Sequence, residues 1–189
     1  KHHPAVRVDD MPAFIKALRQ HEGLSHKALE FAVLTAARSG EVRGATWAEI
    51  DLEATVWTVP AERMKAGKEH RVPLSIQAMA LLKALPRATE SALVFDTNQG
   101  KPLSDMALTS VLRRMKVDAV PHGFRSTFRD WAGEMTNHPR EIAEQALAHA
   151  LENKVEAAYR RGDMLEKRAA IMQEWADYAA PIAHKKSAK

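Results

Sequence analysis

Apolar residues recur at three- and four-residue spacing through nearly the whole chain, and one short stretch breaks that rule. Thr55-Val56-Trp57-Thr58-Val59 gathers β-branched and aromatic side chains, and Arg71-Val72-Pro73-Leu74 follows as a second extended piece. The polar Met64-Lys65-Ala66-Gly67-Lys68-Glu69 between them reads as the turn of a β-hairpin. The flanks are helical in pattern. Asp9 and Asp10 are expected to cap a first helix, with Pro12 in its first turn and Phe14, Ile15 and Leu18 on one side. Ser25 is expected to cap a second, carrying Leu29, Ala32, Val33 and Ala36 and interrupted at Ser39-Gly40. Ser75 and Ser104 read as later caps, the second ahead of Met106, Leu108 and Leu112. Leu93-Val94-Phe95 is a brief extended piece. Leu165, Ala169, Met172, Trp175 and Tyr178 make a final amphipathic stripe that ends near Pro181. These patterns predict a mainly α chain with a small antiparallel β-sheet, the α+β class.

A length of 189 residues fits one sizeable domain. Residues 1–8 read as a linker from a missing N-terminal region, 9–180 as the folded domain with its C-terminal helix, and 181–189 as a basic tail. Cysteine is absent, which excludes disulfides, thiolate zinc sites and cysteine nucleophiles and agrees with a reducing cytoplasm. No apolar run approaches the roughly 20 residues that span a bilayer, and no signal peptide opens the chain. Lys and Arg number 28 against 24 acids, a net charge of +4 that permits a polyanionic partner without requiring one.

The chain carries no Gly-rich phosphate loop, no HExxH, no dinucleotide fingerprint and no GxSxG elbow. What remains is a set of basic residues at structural junctions and one late tyrosine. Taken singly, each has an ordinary reading. Arg38 is a cation at a helix end, Lys65 a solvated turn lysine, and His149 a packing residue in an apolar run. Tyr159 is a half-buried helix aromatic, and Tyr178 belongs to the terminal stripe. His122 and Arg125, spaced His-x-x-Arg, share one face of a helix, where they could grip one anion.

Taken in order, Arg38, Lys65, His122, Arg125, His149 and Tyr159 resemble the active site of the tyrosine recombinases, the phage integrase family. Arg38 and Glu41 look like its first box, Lys65 like its hairpin lysine, and His122 and Arg125 like its second box. Leu147-Ala148-His149 precedes Tyr159 as the third box does. Trp47-Ala48-Glu49-Ile50-Asp51, His122-Gly123-Phe124-Arg125 and Gln173-Glu174-Trp175-Ala176-Asp177-Tyr178 are similar to prophage and genomic-island integrases in particular. Two departures stand out: Ala36 and Ala148 occupy positions where many relatives carry glycine, and the His-to-Tyr gap is a residue longer than in several branches.

The resemblance implies that residues 9–180 are a catalytic domain that breaks and rejoins DNA through a 3′-phosphotyrosine link, with no cofactor and no metal. It implies Tyr159 as nucleophile, Arg38 and Arg125 as a phosphate clamp, and His149 as a further donor to the same oxygens. Lys65 would be the general acid, His122 the proton acceptor, and Glu41 an orienting group for the basic cluster. Lys68, Arg71, Arg113, Arg114, Arg129, Arg160 and Arg161 are candidate contacts to the DNA backbone. Partners would be double-stranded attachment sites, three further copies in a tetramer, and a directionality factor, all in the bacterial cytoplasm on the nucleoid. The helix from Leu165 to Ala180 could dock on its own domain or on a neighbouring protomer. A type IB topoisomerase-like strand transferase and a non-enzymatic DNA-binding protein are the alternatives.

Overall fold

The computed structural model describes residues 3–87, 92–97, 100–149 and 163–182. Its helices are α1 (Met11–Leu18), α2 (Leu24–Thr35), α3 (Ser39–Arg43), α4 (Ile76–Ala84), α5 (Ala107–Arg114), α6 (Gly123–Met135), α7 (Arg140–Ala146) and α8 (Leu165–Ala179). Between α3 and α4 lies one three-stranded antiparallel sheet of β1 (Ile50–Asp51), β2 (Val56–Val59) and β3 (His70–Pro73), in that order. The mainly α chain with a small antiparallel sheet is therefore what the sequence predicts, and β2 and β3 are the expected hairpin. Strand β1 was not anticipated; at two residues it exists only through Ile50 opposite Trp57 and Asp51 opposite Val56.

Several local expectations fail for definite reasons. Asp9 and Asp10 lie in a 3-10 turn, and Asp10 makes no side-chain cap to α1. Helix α2 starts one residue before Ser25, behind Gly23, whose φ of 128° a side chain would resist. Ser104 stands ahead of α5, whose capping position is Met106, and offers a backbone carbonyl to Ala107 rather than a side-chain cap. Ser75 does cap α4, its Oγ accepting from the Ala78 N–H at 3.2 Å.

Helix α8 closes the core. Ile171, Met172, Trp175, Ala176 and Ala179 are buried, and the Trp175 indole N–H donates to the Val33 carbonyl at 2.8 Å. Trp175 meets Phe128 and Trp131 at ring-centroid distances of 5.6 and 5.2 Å, while Phe31 packs on Trp57 and Phe95. The helix thus docks on its own chain. Its phase differs from the expected stripe, because Ala169 is exposed and Arg168 is buried in its place. Each nitrogen of that guanidinium has a partner: the Asp163 and Arg71 carbonyls, at 2.6 and 2.5 Å, and the Asp163 carboxylate.

Residues 4–8 lie against the domain. Val120 donates to the Pro4 carbonyl at 3.1 Å and Thr127 Oγ1 to the Val6 carbonyl at 2.7 Å. No helix among the described residues is long and apolar enough to cross a membrane.

Candidate active site

The site begins where α2 ends. Ala36 turns the chain in the left-handed region (φ 50°), and two residues later Arg38 becomes the N-cap of α3. Arg38 donates its backbone N–H to Glu41 Oε2 at 2.9 Å and its NH1 to Oε1 at 2.8 Å. The Glu41 side chain is only 6% exposed and the Arg38 side chain 24%. One carboxylate therefore fixes the arginine at both ends, while the remaining guanidinium N–H groups carry no other hydrogen bond among the described residues.

Arg125, on α6, is the centre of the arrangement. It is 3% exposed, yet its fork reaches three acceptors. NH1 donates to the Ala36 carbonyl at 2.5 Å, and NH2 donates to the Leu147 carbonyl at 2.6 Å and to His149 Nε2 at 3.2 Å. One side chain thus ties the end of α2 to the turn after α7. That turn is closed by Ala148, again left-handed at φ 49°. Burial, then the Arg38 charge, pushes the Arg125 pKa down to about 10 against the opposing pull of Glu41 and Glu144, so it stays protonated at neutral pH. Its Nε is buried without a partner.

Arginine can only donate, so His149 Nε2 is an acceptor here and the ring proton sits on Nδ1, which donates to Glu144 Oε2 at 2.6 Å. Burial opposes the Glu144 charge. The His149 hydrogen bond and the Arg129 and Arg140 charges outweigh that and hold its carboxyl below the usual value. Arg129, a candidate DNA contact, is ion-paired to Glu144 at 2.7 Å.

His122 stands at the N-cap position of α6 beside this cluster, without a side-chain cap, and the His3 ring is 4.7 Å away. Burial first, then the Arg125 and Arg38 charges, lowers its pKa, so it is neutral at pH 7 and able to accept a proton. The glycine after it has a steric cause: a Cβ on Gly123 would stand 2.1 Å from the Pro4 carbonyl oxygen.

Arg38, His122, Arg125 and His149 therefore converge, with Glu41 and Glu144 as their carboxylate partners. Lys65 does not join them. It is exposed in the β2–β3 loop with Lys68, and neither makes a hydrogen bond or ion pair among the described residues. Arg71 is held by Asp163, at 2.7 and 2.9 Å. Arg113 and Arg114 are exposed in the last turn of α5. Tyr159, Arg160 and Arg161 lie outside the described residues. Tyr178 is partly buried and packs against the core, its hydroxyl donating to the Val8 carbonyl at 3.1 Å and its pKa raised by burial and then by Asp9.

Two features escaped the sequence reading. His70 faces inward from β3 and bonds the Ala146 backbone; burial first, then Arg168 and Arg125 against Glu41, pushes its pKa to about 4. Strand alternation signals it, since His70 and Val72 share the inward side and Arg71 points out. Arg63 pairs with Glu49, both NH1 distances being 2.5 Å, and donates to the Glu41 carbonyl. Nothing local announces that contact.

The chain belongs to the phage integrase family, which matches residues 5–166. It is similar to the integrase of Enterobacteria phage P4, 34% identical over 200 residues that cover 94% of this chain and 46% of that protein. It is also similar to the prophage integrase IntA of Escherichia coli (strain K12), 34% identical over 184 residues and covering 94% and 44%. The chain spans about half the length of the curated relatives it matches. Its fold is similar to that of a chain in the structure of a lambda integrase(75-356) dimer bound to a COC′ core site, with a TM-score of 0.59, 19% identity, and 87% and 61% of the two chains covered.

Proposed function

We propose that this chain is the catalytic domain of a site-specific DNA recombinase that integrates or excises a prophage or genomic island. The observation that carries this is the Arg125 guanidinium, which joins the Ala36 and Leu147 carbonyls and the His149 ring at one point beside Arg38.

Tyr159 Oη attacks the scissile phosphorus. A P–Oη bond forms as the P–O5′ bond breaks, leaving a 3′-phosphotyrosine and a free 5′-hydroxyl, so the reaction reverses onto another strand without an energy source. His122, kept neutral by its surroundings, takes the phenol proton. Lys65 gives its proton to the departing O5′. Arg38 and Arg125 offer their uncommitted N–H groups to the non-bridging oxygens, where losing one donor slows such reactions by about 10²–10³-fold. His149 adds a donor only after Nε2 gains a proton and releases Arg125, with Glu144 balancing the charge.

Double-stranded attachment sites are the substrate, read within a tetramer in the bacterial cytoplasm under a directionality factor. Lys68, Arg71, Arg113, Arg114, Arg129, Arg160 and Arg161 remain the candidate phosphate contacts, and binding falls steeply with salt. No cofactor or metal takes part in this scheme. For the full-length protein, a supercoiled plasmid bearing two copies of the direct repeat that borders the encoding element should yield strand-exchange products, and a plasmid without them should keep its supercoils. Relaxation of the second plasmid would instead identify a topoisomerase-like transferase.

A further inference from the structure

We propose that Arg63 is a positioning residue for Lys65, holding the loop that carries the proton donor against the helix that carries Arg38. The inference rests on the reading of Lys65 as general acid.

Lys65 makes no hydrogen bond or ion pair among the described residues, so its place is set by the chain just before it. There a 3-10 turn, Ala61–Arg63, leads to the buried Met64, and Gly67 closes the next turn onto the Met64 carbonyl at 2.9 Å. The Arg63 side chain is 22% exposed and that of Glu49 is 10%. Arg63 NH1 lies 2.5 Å from both Glu49 oxygens, and NH2 donates to the Glu41 carbonyl. Glu49 is itself oriented by the Trp57 indole N–H at 2.9 Å. Gly44 at the end of α3 leaves room for the guanidinium, since a Cβ there would stand 3.0 Å from NH2.

The connection is short. Lys65 is two residues from Arg63, Arg63 grips the backbone of Glu41, and the Glu41 carboxylate holds Arg38. A lysine at position 63 is a single ammonium on a flexible stem and could not hold carboxylate and carbonyl in the same fork. Without the anchor, the loop would present its lysine over a wider range of positions, and proton transfer to O5′ would suffer before phosphate binding did.

The test uses the full-length protein and nicked suicide duplexes of the bordering direct repeat, one with the natural 5′-oxygen and one with sulfur at the scissile 5′ position. A thiolate leaves without a proton. At saturating protein, single-turnover rate constants on the two duplexes do not depend on the folded fraction, so their ratio separates positioning from stability. Arg63→Ala and Glu49→Gln should cleave the oxygen duplex more slowly, by up to about 10²-fold, and the sulfur duplex at nearly the unsubstituted rate. Lys65→Ala should behave the same way. Equal slowing on both duplexes for Arg63→Ala and Glu49→Gln, with Lys65→Ala restored by sulfur, overturns the role of Arg63 alone. Failure of sulfur to restore Lys65→Ala overturns the general-acid reading and the inference with it.

Discussion

Arg125 NH2 stands 3.2 Å from His149 Nε2, and the only proton on the other side of that ring is given to Glu144 at 2.6 Å. The histidine is thus occupied at both nitrogens before any phosphate arrives. To donate to a phosphate it must become an imidazolium, and Glu144 is the group that makes this affordable. Glu144→Gln keeps an acceptor but removes the charge. We expect cleavage of suicide DNA to slow by about 10–100-fold, the effect of losing a carboxylate behind a functional histidine at metal sites, with DNA affinity unchanged in a gel-shift titration.

Both turns that feed Arg125 contain an alanine in a conformation that disfavours it by about 1–2 kcal/mol. The two sites differ in burial. Ala148 is half-buried, so Ala148→Gly should raise stability by up to about 1 kcal/mol in urea unfolding, after the added freedom of the unfolded chain. Ala36 is 1% exposed, and removing its methyl group sacrifices about 0.8 kcal/mol of burial. Ala36→Gly should therefore be close to neutral.

His70 makes stability depend on pH. Its folded pKa of about 4 lies below the ordinary 6.5, so the unfolded chain binds the extra proton and stability falls as pH drops through 6.5 towards 4. Between pH 7 and pH 5 the loss from this group should be about 2 kcal/mol. His70→Gln should flatten that part of the urea-midpoint profile. Arg168, Arg125 and Glu41 are the charged groups that face the ring.

Helix α8 is part of the domain's own core. Trp175→Ala should lower stability by about 3–5 kcal/mol. Removing the chain from Asp163 onward should abolish the cooperative thermal transition in calorimetry, rather than weaken assembly alone.

The elements that were legible in the sequence are those whose cause is local. Val56 to Val59 form a strand because β-branched and aromatic residues crowd there, and Ser75 caps α4 because its side chain meets an N–H three residues on. The phase of α8 was not legible, because a buried Arg168 depends on the Arg71 and Asp163 carbonyls and the Asp163 carboxylate that satisfy it. The site divides in the same way. The order of Arg38, His122, Arg125 and His149 could be read as a motif. Arg63 with Glu49 exists only once distant segments meet, and no spacing encodes it; the inward side of His70 follows from strand alternation, but the charged groups that face it do not. The alanines at 36 and 148 looked like departures and are now explained as left-handed turn positions, where glycine is the unstrained choice.

The central claim is that this basic cluster serves a tyrosine nucleophile at position 159. The most direct measurement is to trap the full-length protein on a nicked suicide duplex of the bordering direct repeat, digest the adduct and identify the DNA-linked peptide by mass spectrometry. The account predicts a 3′-phosphate linked to Tyr159 and no adduct with Tyr159→Phe. A link at Tyr178 or at any other residue, or an adduct that survives Tyr159→Phe, would contradict it.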